Sequence, residues 1–346
     1  MKLMVLKKNK KIIKFSINTK FLFINIIFFF LIINKIYFKS KINFIKYNNF
    51  DNLNIKNSIN ENDFKNITFA IIRRTSCKVC GLFSDYIVFL GCINLLLTKG
   101  YFPIIDMQSY NNIFNKFNVS ISNINPWEFF FDQPFGERLD NVKKKAMSIK
   151  YFECNSKYKI TESIFYNKLL QSFWHNLSKL YMPIKINILT EARKIFKRLF
   201  KDSHNILGIL MRGTDYLTNK PKGHNIPPTP SMVIKDIKKI NLKNNYDWFF
   251  ISTEDDMIRD IFIKEFGFKI KYLVFEKTKY NYKKKNVLAY NSKVKGLNYS
   301  KIYLINMIIL SKCIDILSAH TSGSIGVFIL SEGFRYSKVY NLGKYK

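Results

Sequence analysis

Short apolar runs alternate with stretches of helical spacing along most of this chain. In its second half the runs cover residues 206–211, 248–252 and 314–319. A short, unbroken apolar run is typical of a strand that is buried on both faces of a parallel sheet. Weaker runs at 272–275 and 339–342 predict two more strands, the last of them at a sheet edge.

Helical spacing of apolar residues separates these runs. Residues 254–266, for instance, bring Met257, Ile258, Ile261 and Phe262 to one side of a helix. Further helices are predicted at 160–180, 185–200, 232–240, 299–312 and 325–330. Strands that alternate with helices predict an α/β fold built on parallel sheets.

The first half of the chain has the order strand, glycine turn, helix, strand. Residues 67–73 and 102–106 are the predicted strands, and residues 82–99 between them are apolar all round, as in a buried helix. With Gly81 at the turn, this order predicts a βαβ unit. Residues 147–154 predict a further strand.

The N-terminus combines a lysine-rich leader with an apolar run at 21–33. The apolar character continues far enough to cross a bilayer, and the lysine excess before the run favours a cytosolic N-terminus. We therefore expect residues 1–47 to form a single-pass membrane anchor. A cleaved signal peptide is an alternative, although no small-x-small site follows the run. An apolar leader that lies on a membrane surface is another.

The asparagine-rich residues 48–65 predict a stem between this anchor and the folded part. Four glycosylation sequons, at Asn66, Asn118, Asn176 and Asn298, are compatible with a lumenal position. We therefore expect a membrane protein whose folded part lies in the lumen of the Golgi or endoplasmic reticulum, if the source is eukaryotic. A membrane-associated cytoplasmic protein is the alternative.

Composition changes this picture little. The chain has 57 Lys and Arg against 24 Asp and Glu, a formal charge of +33, which favours anionic partners. Much of the lysine accompanies the Asn, Ile, Phe and Tyr that AT-rich coding produces. A basic protein that binds nucleic acid or a lipid surface is therefore a weaker hypothesis, and because no nucleic-acid module is recognisable we expect no nucleic-acid partner.

The five cysteines do not suggest a metal site. Only Cys77 and Cys80 are closely spaced, and neither a second pair nor a histidine cluster completes a zinc ligand set, so we expect no metal. In an oxidising compartment one or two disulfides could form and one thiol would be left over. In the cytosol all five thiols could be free.

Three predicted strands end on polar or charged residues that could contact a ligand, and ligands of open α/β sheets bind at such ends. Arg212, Gly213 and Asp215 follow the strand at 206–211. They predict an anion site, with a purely structural Arg212–Asp215 pair as the alternative.

Thr253 and Asp255 follow the strand at 248–252 and could bind ribose hydroxyls or a guanine edge. The alternative is a capping box from Thr253 to Asp256. After the strand at 314–319, residues Thr321, Ser322, Gly323 and Ser324 lead into a helix, where backbone N–H groups and the helix dipole can bind phosphate. Such residues also cap helices without any ligand.

A second group of residues is a candidate for acceptor binding or for a lid. Trp127 and Glu128 lie in an aromatic, acid-containing stretch of the kind that binds sugars, or they pack in the core. Asp106 ends the strand at 102–106. Lys222 and His224 lie in a proline-rich loop past the arginine, which either closes over a ligand or is solvated.

These motifs, with the stretches PWEFFFDQPFG, RGTDY, KPKGH and SEGFRYS, resemble the GDP-fucose-dependent fucosyltransferases, including the O-fucosyltransferase group and a branch found in polysaccharide synthesis. The resemblance runs from Ile67 to the C-terminus. It implies two Rossmann-like domains in the GT-B arrangement, which we place at 66–202 and 203–346 after the N-terminal anchor. The second would hold the nucleotide sugar and the first the acceptor.

The resemblance also implies roles for single residues. Arg212 would neutralise the leaving diphosphate, with Asp215 as the nearby acid. The segment Thr253–Asp255 corresponds to the family's acidic motif, and Ser322, Gly323 and Ser324 correspond to its phosphate loop. Many members carry a histidine two residues before the arginine, and this chain has Leu210 there.

The implied function is transfer of fucose from GDP-fucose to a glycan or protein hydroxyl, with inversion and without a metal or other cofactor. Asp106, Glu128 and His224 are candidates for the base, unless bond cleavage runs so far ahead of attack that little help is needed. The alternatives are a glycosyltransferase with another nucleotide sugar and a membrane-tethered, non-catalytic glycan-binding protein.

Overall fold

A computed structural model describes residues 64, 67–78, 80–114, 125–213, 216, 219–274 and 297–346. Contacts divide the chain into Met1–Lys56 and Asn57–Lys346, and every described residue belongs to the second unit. The expected anchor and all of the stem except Phe64 lie outside the described residues. Phe64 itself is buried and stacks on Phe69, with the ring centroids 5.4 Å apart. Within the described ranges, no helix has the length and apolarity needed to span a membrane.

The first sheet contains three parallel strands in the order β2-β1-β3: β1 (Thr68–Arg73), β2 (Phe102–Ile105) and β3 (Ser148–Glu153). Helix α1 (Leu82–Thr98) joins β1 to β2 and buries residues on all sides, which confirms the predicted βαβ unit. Four helices follow in the first half: α2 (Trp127–Phe130), α3 (Leu139–Lys145), α4 (Lys168–Tyr181) and α5 (Ile186–Phe200).

The helix expected over residues 160–180 begins later than predicted. The side chain of Asn167 accepts a hydrogen bond from the Leu170 amide and caps α4, so the helix starts at Lys168. A single 3₁₀ turn, Glu162–Phe165, occupies part of the preceding segment.

The second sheet contains five parallel strands in the order β6-β5-β4-β7-β8. They are β4 (Ile206–Leu210), β5 (Trp248–Ser252), β6 (Ile270–Lys271), β7 (Asp315–Ala319) and β8 (Tyr336–Tyr340). Their helices are α6 (Pro230–Asn244), α7 (Asp256–Phe266), α8 (Leu297–Ser311) and α9 (Ser322–Leu330).

The two edge strands of the second sheet lie earlier in the chain than predicted. Strand β6 precedes the expected range of 272–275. Strand β8 begins at Tyr336 rather than 339 because the buried Asp315 carboxylate accepts from the Tyr336 amide and pairs with Arg335. This pairing ties the start of β8 to the start of β7.

In each sheet, the chain adds strands first on one side of the initial strand and then on the other. In the first sheet the chain passes from β1 to β2 on one side and then places β3 on the other side of β1. In the second sheet β5 and β6 lie on one side of β4, and β7 and β8 on the other. In open α/β sheets, ligands bind outside the carboxyl ends of the strands at such a switch point, here between β4 and β7.

Residues from both halves of the chain belong to one hydrophobic core. Phe83, in α1, contacts Gly326 so closely that no Cβ fits there, and its ring is 5.7 Å from that of Tyr303 in α8. The Phe165 and Phe328 rings are 4.9 Å apart. The helices on the two sheets are therefore packed against one another.

The cysteines form two disulfides, Cys77–Cys80 and Cys92–Cys154, and Cys313 is a buried free thiol. The number of disulfides, and not the pairing, is what the sequence predicted for an oxidising compartment, in which one thiol is left over. The Cys92–Cys154 bond ties α1 to the residue that follows β3.

Candidate functional site

Arg212 lies just past the carboxyl end of β4, at the switch point of the second sheet. Its side chain is 31% exposed, and its Nε is 3.2 Å from a carboxylate oxygen of Glu254, which follows β5. Its guanidinium lies over the Tyr216 ring, 4.8 Å from the centroid. A guanidinium carries several N–H donors in a planar fork, so an ion pair through Nε is compatible with binding a second anion. Asp215 and Thr214 lie outside the described residues.

Gly213 lets the ends of β4 and β5 touch. A Cβ at this position would overlap the Asp255 Cβ and would lie 2.9 Å from the Asp255 Oδ2. Only a residue without a side chain fits there unless the neighbouring strand end moves. Two of the predicted site residues, Gly213 and Asp255, are therefore in direct contact.

Asp255, and not Thr253, caps the helix that follows β5. Its Oδ1 accepts from the amides of Met257 and Ile258, so α7 begins at Asp256 and not at 254. The hydroxyl of Thr253 accepts from the Asp255 amide at 3.2 Å. The predicted capping box from Thr253 to Asp256 is thus wrong, because the aspartate side chain reaches two amides that Thr253 does not.

The segment Thr321–Ser324 follows β7 and forms the first turn of α9. Thr321 is the N-cap, and its hydroxyl accepts from the Ser324 amide at 3.2 Å. The Ser324 hydroxyl is buried and donates to the Ala319 carbonyl. The amides of Ser322 and Gly323 are therefore the first-turn N–H groups placed for an anion at the helix N-terminus.

Tyr303, in α8, lies beside this turn. Its hydroxyl lies where a Cβ on Gly323 would be, so only glycine fits beside it. Burial raises the pKa of Tyr303 to about 12, and the Arg212 guanidinium acts on that pKa in the opposite direction. The Tyr303 hydroxyl is therefore a protonated donor at neutral pH, in the electrostatic field of Arg212 and adjacent to Gly323.

The loop with Lys222 and His224 lies beside the arginine. The Tyr216 hydroxyl is 3.0 Å from His224 Nδ1, which connects the loop to the ring under Arg212. The backbone of residues 223–226 pairs with residues 343–345 through three hydrogen bonds of 2.9 Å. Lys222 and His224 are exposed.

Asp106 is buried at the end of β2 and is held by its neighbours. Its carboxylate pairs with Arg73 at 2.8 Å and lies 3.8 Å from Lys143. It also accepts from the amides of Gln108 and Ser109. These contacts stabilise the turn after β2. The carboxylate is therefore bound by neighbouring residues of the first half of the chain.

Trp127 and Glu128 are likewise engaged in local structure. The Trp127 ring is fully buried and stacks on Phe131 with centroids 4.4 Å apart. Glu128 accepts from the Leu139 amide and from the side chains of Gln133 and Arg138. Core packing, the alternative given for Trp127 above, is what this structure shows, and no sugar can stack on the ring where it lies.

Two residues of this region were given no functional role from the sequence. Tyr303 lies within an apolar helix pattern. His320, the residue between β7 and Thr321, looked like a strand-end residue. Their roles depend on contacts between elements that are distant along the chain. Within the part of the chain that is described, His, Cys, Asp and Glu form no cluster that could hold a metal ion.

At Leu210, where many members of the resembled family have histidine, this chain has a buried apolar residue at the end of β4. Its side chain belongs to the core cluster that includes residues of both halves. An apolar side chain packed in the core therefore occupies the position at which those proteins carry an imidazole.

No known protein-family profile matches the chain, and no curated protein matches it. Several solved structures match the fold of the chain. The fucosyltransferase NodZ from Bradyrhizobium is 15% identical, with a TM-score of 0.47 over 77% of this chain and 94% of that chain. NodZ alpha-1,6-fucosyltransferase with GDP is 14% identical, with a TM-score of 0.46 over 77% and 93%.

POFUT1 in complex with GDP-fucose is 9% identical, with a TM-score of 0.44 over 79% of this chain and 97% of that chain. The two NodZ structures are named as fucosyltransferases, the class that the sequence motifs resemble. At these identities the likeness concerns the fold alone.

Proposed function

We propose that this protein is a glycosyltransferase that transfers fucose from GDP-fucose to a hydroxyl of a glycan or glycoprotein, with inversion and without a metal. One observation carries the proposal: Arg212 and the first turn of α9 follow the neighbouring strands β4 and β7 at the switch point of the second sheet, and Tyr303 lies beside Gly323 in the electrostatic field of Arg212. A cation, a hydroxyl and helix N-terminal amides around one point suit a diphosphate. The choice of GDP-fucose follows from the motif resemblance.

In this mechanism the acceptor hydroxyl attacks C1 of the sugar while the bond to the diphosphate breaks. Negative charge grows on the diphosphate as GDP leaves. Arg212 and the amides of Ser322 and Gly323 would stabilise that charge. Preorganised donors of this kind can supply about 3–4 kcal/mol each to the transition state.

Other predicted residues would have supporting roles. Asp215 would act beside Arg212, and Thr253 and Asp255 would lie along the nucleoside. Because Asp255 also caps α7 and contacts Gly213, its substitution would disturb both strand ends. Lys222 and His224, on the loop next to Tyr216, would cover the bound donor.

The proposed setting is a single-pass membrane protein with its folded part in an oxidising compartment. Two disulfides support this setting, because disulfides persist in oxidising compartments and are rare in the cytosol. The N-terminal anchor would supply the membrane contact. The first half of the chain would then contribute to the acceptor side.

Binding of GDP measured by thermal shift tests the donor site. A ligand that binds only the folded state at about a hundred times its Kd stabilises it by about 2.7 kcal/mol. We expect GDP to stabilise the wild type and to lose this effect in Arg212→Ala. Arg193→Ala, an exposed arginine on α5, is the matched control and should respond to GDP like the wild type.

The same assay separates the alternatives. Stabilisation by other nucleotides and not by GDP would assign a different donor. Binding of glycans without any nucleotide response would favour a non-catalytic glycan-binding protein. If Arg212→Ala folds and releases GDP from GDP-fucose at the wild-type rate, the role assigned to Arg212 is wrong.

A further inference from the structure

His320 is a buried histidine at the edge of the donor site, and its ring nitrogens make no hydrogen bond to the described residues. It is the first residue after β7 and directly precedes Thr321, the N-cap of α9. The residue is 9% exposed, and its ring packs on that of Phe165, with centroids 5.4 Å apart. Among the described residues, neither ring nitrogen has a hydrogen-bond partner.

A structural histidine would be expected to use its ring nitrogens. His175 illustrates this, because its Nδ1 is 2.9 Å from the Ile329 carbonyl oxygen. Burying an unpaired polar group costs free energy, and such groups call for an explanation when they persist. The position of His320 beside the donor site suggests an explanation for its unpaired ring nitrogens, namely that the imidazole takes part in the reaction.

Glu162 is the one carboxylate in contact range of this ring among the described residues. Its Oε1 is 3.9 Å from His320 Nε2, and its side chain is 45% exposed. It lies on the 3₁₀ turn Glu162–Phe165 of the first half of the chain. An acid behind an imidazole is the arrangement that orients a general base.

The backbone of His320 is held from the loop that carries Lys222 and His224. The Asn225 side chain donates to the His320 carbonyl at 2.8 Å. His320 is thus bound on one side by this loop and contacted on the other by the first half of the chain, where the acceptor is expected.

We propose that His320 is the base that takes the proton of the acceptor hydroxyl, and that Glu162 is its positioning residue. This inference rests on the proposed function. The acceptor O–H proton passes to a ring nitrogen of His320 as the acceptor oxygen bonds to C1. The bond from C1 to the diphosphate oxygen breaks, and GDP leaves with the electron pair. The imidazolium then releases its proton to solvent.

The surrounding charges keep the imidazole neutral, as a base requires. Burial lowers the pKa of His320 below its usual range, and the nearby cations Lys159 and Lys344 lower it further. Glu162 alone raises it. Activity should therefore be lost as the pH falls through the pKa of His320, on the acid side of its ordinary value near 6.5.

The experiment measures GDP release from GDP-fucose, with water as the acceptor and then with added oligosaccharides, across pH. His320→Gln should lower kcat by about 10²–10⁴-fold, the range for loss of a general base. Its thermal stabilisation by GDP should stay at the wild-type value. His204→Gln, an exposed histidine away from the site, is the matched control and should release GDP like the wild type.

Glu162→Gln gives a readout that a merely structural contact would not change. Removing the one group that raises the pKa of His320 should move the acidic limb of the kcat/KM profile to lower pH. It should also reduce kcat, and Glu162→Asp should restore part of both effects. If His320→Gln does not fold, the pH profile of Glu162→Gln still tests whether His320 is the base.

The outcomes separate this inference from the proposed function. If GDP stabilises the wild type and His320→Gln releases GDP at the wild-type rate, or if the acidic limb of Glu162→Gln does not move, the base is not His320. If the wild type neither binds GDP nor releases it from GDP-fucose, the proposed function itself is wrong.

Discussion

At the scale of single residues, Gly213 shows how closely two strand ends meet in this site. A side chain there would overlap Asp255, which caps α7 and follows β5. The turn sequence suggested an anion site, but it could not show why glycine stands at this position, because Asp255 is 42 residues further along the chain. Arg212 and Gly213 could be found from the strand-end rule, whereas Tyr303, on another element, could not.

Gly213→Ala should therefore disturb both strand ends. Overpacking of this kind costs about 1–3 kcal/mol of unfolding free energy. Because Arg212 would also be displaced, GDP should raise the melting temperature of the variant less than that of the wild type. Melting temperature and its shift by GDP are the measurements. Gly81→Ala is the control, since a Cβ at Gly81 would meet nothing within 4 Å. An unchanged melting temperature and GDP shift in Gly213→Ala would contradict the contact.

At the scale of elements, the strands of the site could be read from the sequence more reliably than the helix starts. The apolar run predicted β5 at its observed limits, because a strand buried on both faces has a hydrophobic signature of its own. The start of α7 was misjudged because Thr253 and Asp255 are both good caps and only the fold decides between them. Helix α9 starts at Ser322, inside the expected phosphate loop, because Thr321 caps it.

The cap of α9 should therefore contribute to both stability and binding. Thr321→Ala should cost about 1 kcal/mol of unfolding free energy and reduce the stabilisation by GDP, since it loosens the turn with the Ser322 and Gly323 amides. Chemical denaturation with and without GDP measures both effects.

Thr229 provides the matched control, because its hydroxyl caps α6 by accepting from the Met232 amide at 3.4 Å. Thr229→Ala should cost a similar free energy while leaving the GDP response unchanged. Equal losses of GDP response in the two variants would show that α9 has no special part in binding.

At the scale of the whole molecule, the two sheets share the largest of the three hydrophobic clusters that the described residues form. The alternation of strands and helices predicted the sheets, and their parallel pairing is confirmed. The sequence could not predict that α1, α8 and α9 share a core, because the pattern of an all-apolar helix does not show which elements pack against it. The anchor and the domain limits remain predictions.

Phe83→Ala should test this shared core. Phe83 is buried against Gly326 and Tyr303, and truncating such a residue costs about 3–5 kcal/mol. Calorimetry should show one transition in the wild type, and a lower or split transition in the variant. Phe268→Ala, at a residue 80% exposed, should have little effect. Two separate transitions in the wild type would show that the sheets unfold independently.

The pairing of residues 223–226 with residues 343–345 has a consequence for how this protein can vary. All three bonds join backbone groups, so they constrain the presence of the chain far more than the identity of its side chains. Gly343, with a φ of 87°, and Lys344, which lowers the pKa of His320, are the exceptions. The tail should therefore accept many substitutions and few deletions. A comparison of variants would score it as unimportant, although its removal would release the loop that holds His320.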